Sequence, residues 1–162
     1  MADRNDEHYI ESIKGSNAQC IMGRLTKGVD LFEGLLAVCK QHNVQTAAFD
    51  CIGSLKRVGY VQLKRNDNKE LRYSEPIYVE KPVELLAGKG FIGLDEHDEL
   101  DVHYHGMYVD SDGNISGGHF LRGENPTAVT IEFTLHPVHD IYLKRKTDSS
   151  LNLPVFQFSE RG

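Results

Sequence analysis

Three histidines that could bind a metal lie within one short stretch of this sequence: His103, His105 and His119. Side chains two positions apart on a strand leave the same face, so His103 and His105 point together while Tyr104 points the other way. The residues at 110–114 are dense in turn formers and separate this pair from His119. Opposite residues of a hairpin share a face, so an odd-numbered loop here would set His119 opposite His105.

Three imidazoles that converge in this way are the ligand set of an open zinc site, in which water or substrate takes the fourth position. Asp101 extends the same strand face. We expect its carboxylate to accept a hydrogen bond from the free ring N–H of a ligand histidine and so fix the tautomer. The alternative is that these are ordinary exposed histidines of a hairpin, because the H-x-H pattern alone is weakly specific.

Two glycines, Gly117 and Gly118, directly precede His119. Glycine weakens a strand and is typical of places where a ligand or another backbone comes close, but it also marks bulges. The pair therefore indicates either the close approach of a ligand or another backbone, or a bulge. The loop between His105 and His119 contains another glycine, Gly113, which suits a left-handed turn position.

The clearest helix lies before the strands. Asp30 can accept hydrogen bonds from the first helical turn, and Glu33 three residues later completes a capping-box-like pair. Asn43 is a left-handed stop signal. Apolar residues recur between them at helical spacing and predict a face that packs on a sheet: Leu31, Leu35, Leu36, Val38 and Cys39.

The rest of the chain has strand-like hydrophobic runs separated by turn residues. A short strand is predicted over 19–25, and at least seven more follow the helix, over 44–52, 55–63, 71–79, 83–92, 100–109, 115–121 and 128–143. Short connections such as Gly53-Ser54 and residues 124–126 favour hairpins over helical crossovers. The predicted fold is α/β of the α+β kind: a mainly antiparallel sheet of seven or more strands with one main helix packed on it.

The length of 162 residues and the 40% apolar content suit one domain, predicted over 17–162 after a flexible, polar N-terminal tail over 1–16. No stretch approaches a membrane span, and the N-terminus is not basic then apolar, so we expect a cytoplasmic protein. The cysteines are odd in number and widely spaced, which predicts reduced thiols: Cys20, Cys39 and Cys51.

The chain resembles the PPC domain, the plants and prokaryotes conserved family, over about residues 17–158. The specific part is H-x-H, then D-G, then G-G-H, carried here by His103, His105, Asp112, Gly113, Gly117, Gly118 and His119. Weaker matches are the helix, Gly53-Ser54-Leu55, Glu84-Leu85-Leu86, Arg24-Leu25 and Glu132. The resemblance implies a helix against an antiparallel sheet, a homotrimer, and a metal on these histidines, with zinc expected although imidazole also suits nickel, copper and iron.

Plant members of this family are nuclear DNA-binding proteins, and bacterial members are described as DNA-binding by extension, so the resemblance implies DNA as a candidate partner. The plant proteins hold AT-rich DNA with a separate R-G-R-P hook, which this sequence lacks. Its net charge of −6 also lacks the surplus of cations that neutralises phosphates. The basic run Lys144-Arg145-Lys146 could form a cationic rim on a trimer or simply be a solvated strand end.

The fold is also similar to that of acetolactate decarboxylase, where a three-histidine zinc site on comparable strands polarises a substrate. A metal here would then polarise a carbonyl or activate water, and Glu84 or Glu132 would move the proton. The alternative for both glutamates is a solvated strand face or an interface ion pair. Two functions stay open: a trimeric metal-containing binding or regulatory module, and a zinc-dependent lyase or hydrolase acting on a small carbonyl or ester compound.

Overall fold

The computed structural model describes residues 10–14 and 20–160, which form thirteen strands and one helix. In chain order the elements are β1 (Ile10–Lys14), β2 (Ile21–Thr26), α1 (Leu31–Gln41), β3 (Ala47–Leu55), β4 (Val58–Val61), β5 (Leu63–Arg65), β6 (Leu71–Tyr73), β7 (Ile77–Val79), β8 (Val83–Leu94), β9 (Leu100–Asp110), β10 (Ile115–Phe120), β11 (Thr127–Pro137), β12 (Ile141–Asp148) and β13 (Leu153–Glu160). Within this part of the chain, α1 is too short to cross a membrane.

Eleven of these strands form one sheet, in the order β1-β2-β11-β3-β8-β9-β10-β4-β7, with the β12–β13 hairpin joined to β8. The strands β5 and β6 form a separate hairpin. The pairings are antiparallel except for one parallel pair, Lys144 with Leu94, between β12 and β8. The predicted fold, a mainly antiparallel sheet with one helix, is confirmed.

The helix begins and ends where the sequence predicts. The Asp30 Oδ1 atom accepts hydrogen bonds from the backbone N–H groups of Phe32 and Glu33, at 3.0 and 3.3 Å. Asn43 follows the helix with a φ of 54°. The helix packs on what we call the inner face of the sheet, where Phe32 meets Tyr104 of β9 edge to face with 5.7 Å between ring centroids. The core therefore lies on the inner side of the sheet.

One predicted connection is wrong. Gly53 and Ser54 lie within β3, and the chain turns at residues 56–57 instead. Gly53 has a φ of 143°, and a Cβ added there would lie 2.2 Å from the carbonyl oxygen of Thr130 on β11. The glycine marks an irregularity in the register of β3 with both neighbouring strands, which is why a strand interior carries a turn-like sequence.

The C-terminal strands differ most from expectation. The predicted strand over 128–143 is interrupted at residues 138–140, after which β12 and β13 form a long hairpin that the hydrophobic pattern does not reveal. The predicted tail over 1–16 lies outside the described residues except for β1, which pairs with β2. The fold thus adds strands at both ends of the predicted set.

Candidate metal centre

The two histidines of β9 lie on the outer face of the sheet. Burial alternates along this strand: Val102, Tyr104 and Tyr108 are buried on the inner face, whereas His103 is half-buried and His105 exposed. Tyr104 is held there by Phe49, which stacks on it with 5.5 Å between ring centroids. The packing of Tyr104 therefore fixes the side of the sheet to which both imidazoles project.

The β9–β10 hairpin brings the third histidine to the same face. Its turn has Gly113 at a φ of 82°, and Asp110 Oδ1 accepts hydrogen bonds from the backbone N–H groups of Asp112 and Asn114 at 2.9 and 3.0 Å. The resulting register sets His119 directly opposite His105. The hairpin that the spacing predicts is confirmed in its register.

The glycines before His119 are explained by neighbouring backbone. A Cβ on Gly117 would lie 2.2 Å from the carbonyl oxygen of Gly106 on β9, and one on Gly118 would lie 2.6 Å from that of Val61 on β4. Side chains at these two positions would push β10 away from the strands on either side. Of the two explanations that the sequence left open, the structure favours the close approach of backbone.

The three imidazoles form one cluster. One ring nitrogen from each of His103, His105 and His119 lies within 4.8 Å of the other two. The Nε2 atoms of His103 and His105 are 3.2 Å apart. Two nitrogens about 2.0–2.1 Å from one tetrahedral zinc ion are separated by about 3.3 Å, so this pair already has the spacing of two ligands. The donor set therefore fits zinc, although no ion identity follows from imidazoles alone.

The electrostatics of the cluster favour neutral imidazoles. Burial, and then the neighbouring His103 and His105, lowers the pKa of His119 to about 4. Burial also lowers the pKa of His103, with His105 as the next cause. The buried Nδ1 of His119 has no hydrogen-bond partner among the described residues. Neutral imidazole is the metal-binding form, and a ring nitrogen without a protein partner is what an ion or a water molecule would satisfy.

Asp101 lies beside the cluster with different partners from those expected. Its Oδ2 atom accepts a hydrogen bond from Nε of Arg145, and its Oδ1 accepts one from the backbone N–H of Val102 at 2.8 Å. The Arg145 side chain is 18% exposed, so this ion pair is largely removed from water. Asp101 therefore neutralises the charge of an arginine next to His103 instead of accepting a hydrogen bond from a histidine ring N–H.

Neither glutamate proposed for proton transfer reaches the histidines. Glu84 is exposed on β8, opposite Ser54 and Val109, and Glu132 is exposed on β11, between Arg24 and Ile52. A second carboxylate near the cluster is Asp50 of β3, which lines a cleft together with His103 and His105. It occupies one cross-strand row of the outer face with Lys89, His105 and His119.

Two clefts adjoin His103. The first, which we name the Asp50 cleft, has a volume of about 420 Å³ and is lined by Ala48, Phe49, Asp50, Lys89, Gly90, Phe91, His103, His105 and His136. The second, which we name the hairpin cleft, has a volume of about 260 Å³ and is lined by Tyr73, Phe91, His103, His119, Arg145, Pro154, Val155, Phe156 and Phe158. The cluster lies between them, so both could admit a ligand to a bound ion.

The sequence did not single out Asp50, Lys89 or His136. Neighbouring side chains of a strand project to opposite faces, so Asp50 and Phe49 of the predicted strand 44–52 must face opposite sides of the sheet. The direction of Asp50 could therefore have been predicted. What was missing was the order of strands, because β3 and β9 are separated by β8 in the sheet and by about fifty residues in the chain.

The low pKa values predict that the metal-free protein loses stability in mild acid. Between pH 6.5, the ordinary histidine pKa, and about pH 4, the pKa of His119, the unfolded chain binds a proton at His119 that the folded chain does not. The free energy of unfolding therefore falls as the pH falls through this window. In urea denaturation followed by circular dichroism, the urea concentration at the midpoint should decrease as the pH is lowered from about 7 to about 4.5. The decrease should be smaller in His119→Gln. An equal decrease of the midpoint in both proteins would contradict the low pKa of His119.

Solved structures show the same architecture. A proposed DNA-binding protein from Bacteroides thetaiotaomicron has a TM-score of 0.74 at 17% identity, over 94% of this chain and 99% of that one. A metal-containing protein from Archaeoglobus fulgidus has a TM-score of 0.73 at 18% identity, over 92% and 98%. A plant- and prokaryote-conserved protein from Pyrococcus horikoshii has a TM-score of 0.71 at 22% identity, over 90% and 94%. At these identities the likeness shows the fold alone.

Sequence comparison gives the family. No curated protein sequence matches the chain significantly. A family model does match it, over residues 12–139, which include all three histidines, the turn at Gly113 and the glycine pair before His119. This segment is most of the chain and contains the helix and the central strands of the sheet. The chain belongs to the Plants and Prokaryotes Conserved (PCC) domain family.

Proposed function

We propose that this protein is a metal-containing binding module in which His103, His105 and His119 hold one zinc ion. The observation that carries the proposal is the convergence of three imidazole nitrogens within 4.8 Å on the outer face of the sheet. The low pKa values of His103 and His119 and the unpartnered Nδ1 of His119 support it, because an ion would satisfy neutral, buried imidazoles.

Three protein ligands leave room for another group on a bound zinc ion. When bound, the ion would supply a Lewis acid at the point where the Asp50 cleft and the hairpin cleft meet. The protein's own contribution is to hold three neutral imidazoles in position through the β9–β10 register. The proposed function is therefore the binding of a small ligand at the metal.

A zinc-dependent lyase or hydrolase acting on a small carbonyl or ester compound is the second candidate. Asp50 favours it, because an exposed carboxylate lines the same cleft as His103 and His105 and is placed to exchange a proton with a ligand there. Glu84 and Glu132 do not line that cleft, so Asp50 replaces them in this proposal. Turnover of small esters and ketones by the zinc-loaded protein, lost in Asp50→Asn, would establish the enzyme.

DNA is a weaker candidate partner. Two relatives of the same fold are named as proposed DNA-binding proteins. In this chain, however, two cations of the basic run are already paired, Lys144 with Asp98 and Arg145 with Asp101. The net charge of −6 means that the chain has no surplus of cations over anions to neutralise phosphates. If the protein binds DNA, its affinity should fall steeply as the salt concentration rises. Weak binding whose affinity does not change with salt concentration would exclude DNA as a partner.

Elemental analysis of protein purified without a histidine tag tests the metal. We expect about one zinc per chain in the wild type and less than about a tenth of that in His103→Ala/His105→Ala, because one remaining imidazole cannot hold the ion. His136→Ala is the matched control, since His136 lines the Asp50 cleft outside the three-histidine cluster and should leave the zinc content unchanged. Absence of zinc from the wild type, even after zinc is added, would exclude the proposal.

The family resemblance also leads us to propose a homotrimer. The outer face exposes large apolar side chains, among them Met22, Ile52, Met107 and Ile115, which are 46–63% exposed in the single chain. Such a surface is typical of a protein interface. Met107 and Ile115 lie on the β9–β10 hairpin that carries the histidines, so association through this surface would bring partner surfaces close to the proposed metal site.

Light scattering tests the trimer. The wild type should have about three times the 18.3 kDa mass of one chain. Ile52→Lys/Met107→Lys should give the mass of a monomer, because burying two lysines without partners in the interface is costly. Ser149→Lys/Leu151→Lys, in the exposed turn between β12 and β13, adds the same two charges and should keep the wild-type mass. A monomeric wild type would contradict the proposal.

A further inference from the structure

The β12–β13 hairpin lies beyond residues 12–139, which the family model matches, yet it forms one wall of the proposed metal site. Arg145 holds it in place. The Nη2 atom of Arg145 donates a hydrogen bond to the carbonyl oxygen of Val102 at 3.2 Å, and its Nε bonds to Asp101. Its guanidinium lies 4.4 Å from the centroid of the Phe156 ring. The arginine thus joins both strands of the hairpin to β9, next to His103.

The wall that this hairpin presents to the histidines is aromatic. The Phe156 ring lies 6.4 Å from the His103 ring, and Phe158 meets Phe91 edge to face at 6.3 Å, both measured between ring centroids. From the opposite side, Tyr73 of β6 lies 5.2 Å from the ring of His119. The hairpin cleft is therefore bounded by aromatic rings on several sides and by two of the proposed metal ligands.

The charges in the cleft indicate what kind of group would face the ion. The positive charge of Arg145 is balanced by Asp101, so the side chains of the cleft offer no unbalanced cation beside the histidines. A divalent ion on three neutral imidazoles would supply the positive charge, and an anionic oxygen is a suitable fourth ligand for zinc. The rest of the ligand would contact aromatic rings, which pair favourably with another ring.

We propose that the hairpin cleft binds a small aromatic carboxylate, with its carboxylate on the metal and its ring against Phe156 and Tyr73. The volume of about 260 Å³ is below the usual range of drug-sized sites, roughly 300–1,000 Å³, which limits the ligand to about the size of benzoate. This inference rests on the proposed metal site. It adds that the hairpin outside the family match sets the ligand specificity of this chain.

Cobalt-loaded protein provides the test, because Co²⁺ in a histidine site has visible absorption bands that shift when another ligand binds. Benzoate and acetate are titrated into the wild type, and each dissociation constant is read from the shift. We expect benzoate to bind about tenfold more tightly than acetate, the difference that two favourable aromatic contacts would give. In Phe156→Leu this preference should fall to about threefold or less, with acetate affinity unchanged.

Tyr142→Leu is the matched control, because it removes an aromatic ring from the same hairpin outside the hairpin cleft and should keep the tenfold preference. Cobalt uptake by each variant shows that the site is intact. Equal affinities for benzoate and acetate in the wild type would overturn the inference even if Phe156→Leu did not fold. So would a preference that persists in a folded, cobalt-loaded Phe156→Leu. Failure of the wild type to take up cobalt would overturn the metal proposal and this inference together.

Discussion

The antiparallel register of β9 and β10 is the constraint on which the candidate metal centre depends. Side chains alternate between the two faces of a sheet, so a slip of one residue would move His119 to the inner face, away from His105. The turn at Asp110 and Gly113 sets this register from one end. Close backbone packing at Gly117 restricts it along the strands, since any side chain there would meet the carbonyl oxygen of Gly106.

Burial then sets the protonation state of the histidines. Three histidines on one face repel each other when protonated, and the low pKa values of His103 and His119 show that the fold favours their neutral forms. A neutral imidazole offers a lone pair, and His119 has a buried nitrogen that no described residue satisfies. The Asp101–Arg145 pair adds no net charge to this environment. These properties suit the metal ion proposed above and an anionic ligand on it.

Features set within a single helix or hairpin could be predicted from the sequence, whereas contacts between distant strands could not. The cap at Asp30, the stop at Asn43 and the opposition of His105 and His119 follow from spacing within a single helix or hairpin, and the structure confirms them. Partners that belong to distant strands were missed. Asp101 meets Arg145 across 44 residues of sequence, and no periodicity specifies such a pairing. The turn signal at Gly53 was misleading because the need for a glycine there comes from β11, a strand far along the chain.

In the proposed site, three histidines hold a metal ion that keeps one coordination position open for a ligand. X-ray absorption spectroscopy at the zinc edge of the purified protein tests it most directly. We expect nitrogen neighbours from three imidazoles at about 2.0–2.1 Å, together with one light atom that benzoate replaces. A sulfur neighbour at about 2.3 Å, or four imidazoles around the ion, would mean a closed site of a different composition and would contradict the proposed three-histidine site.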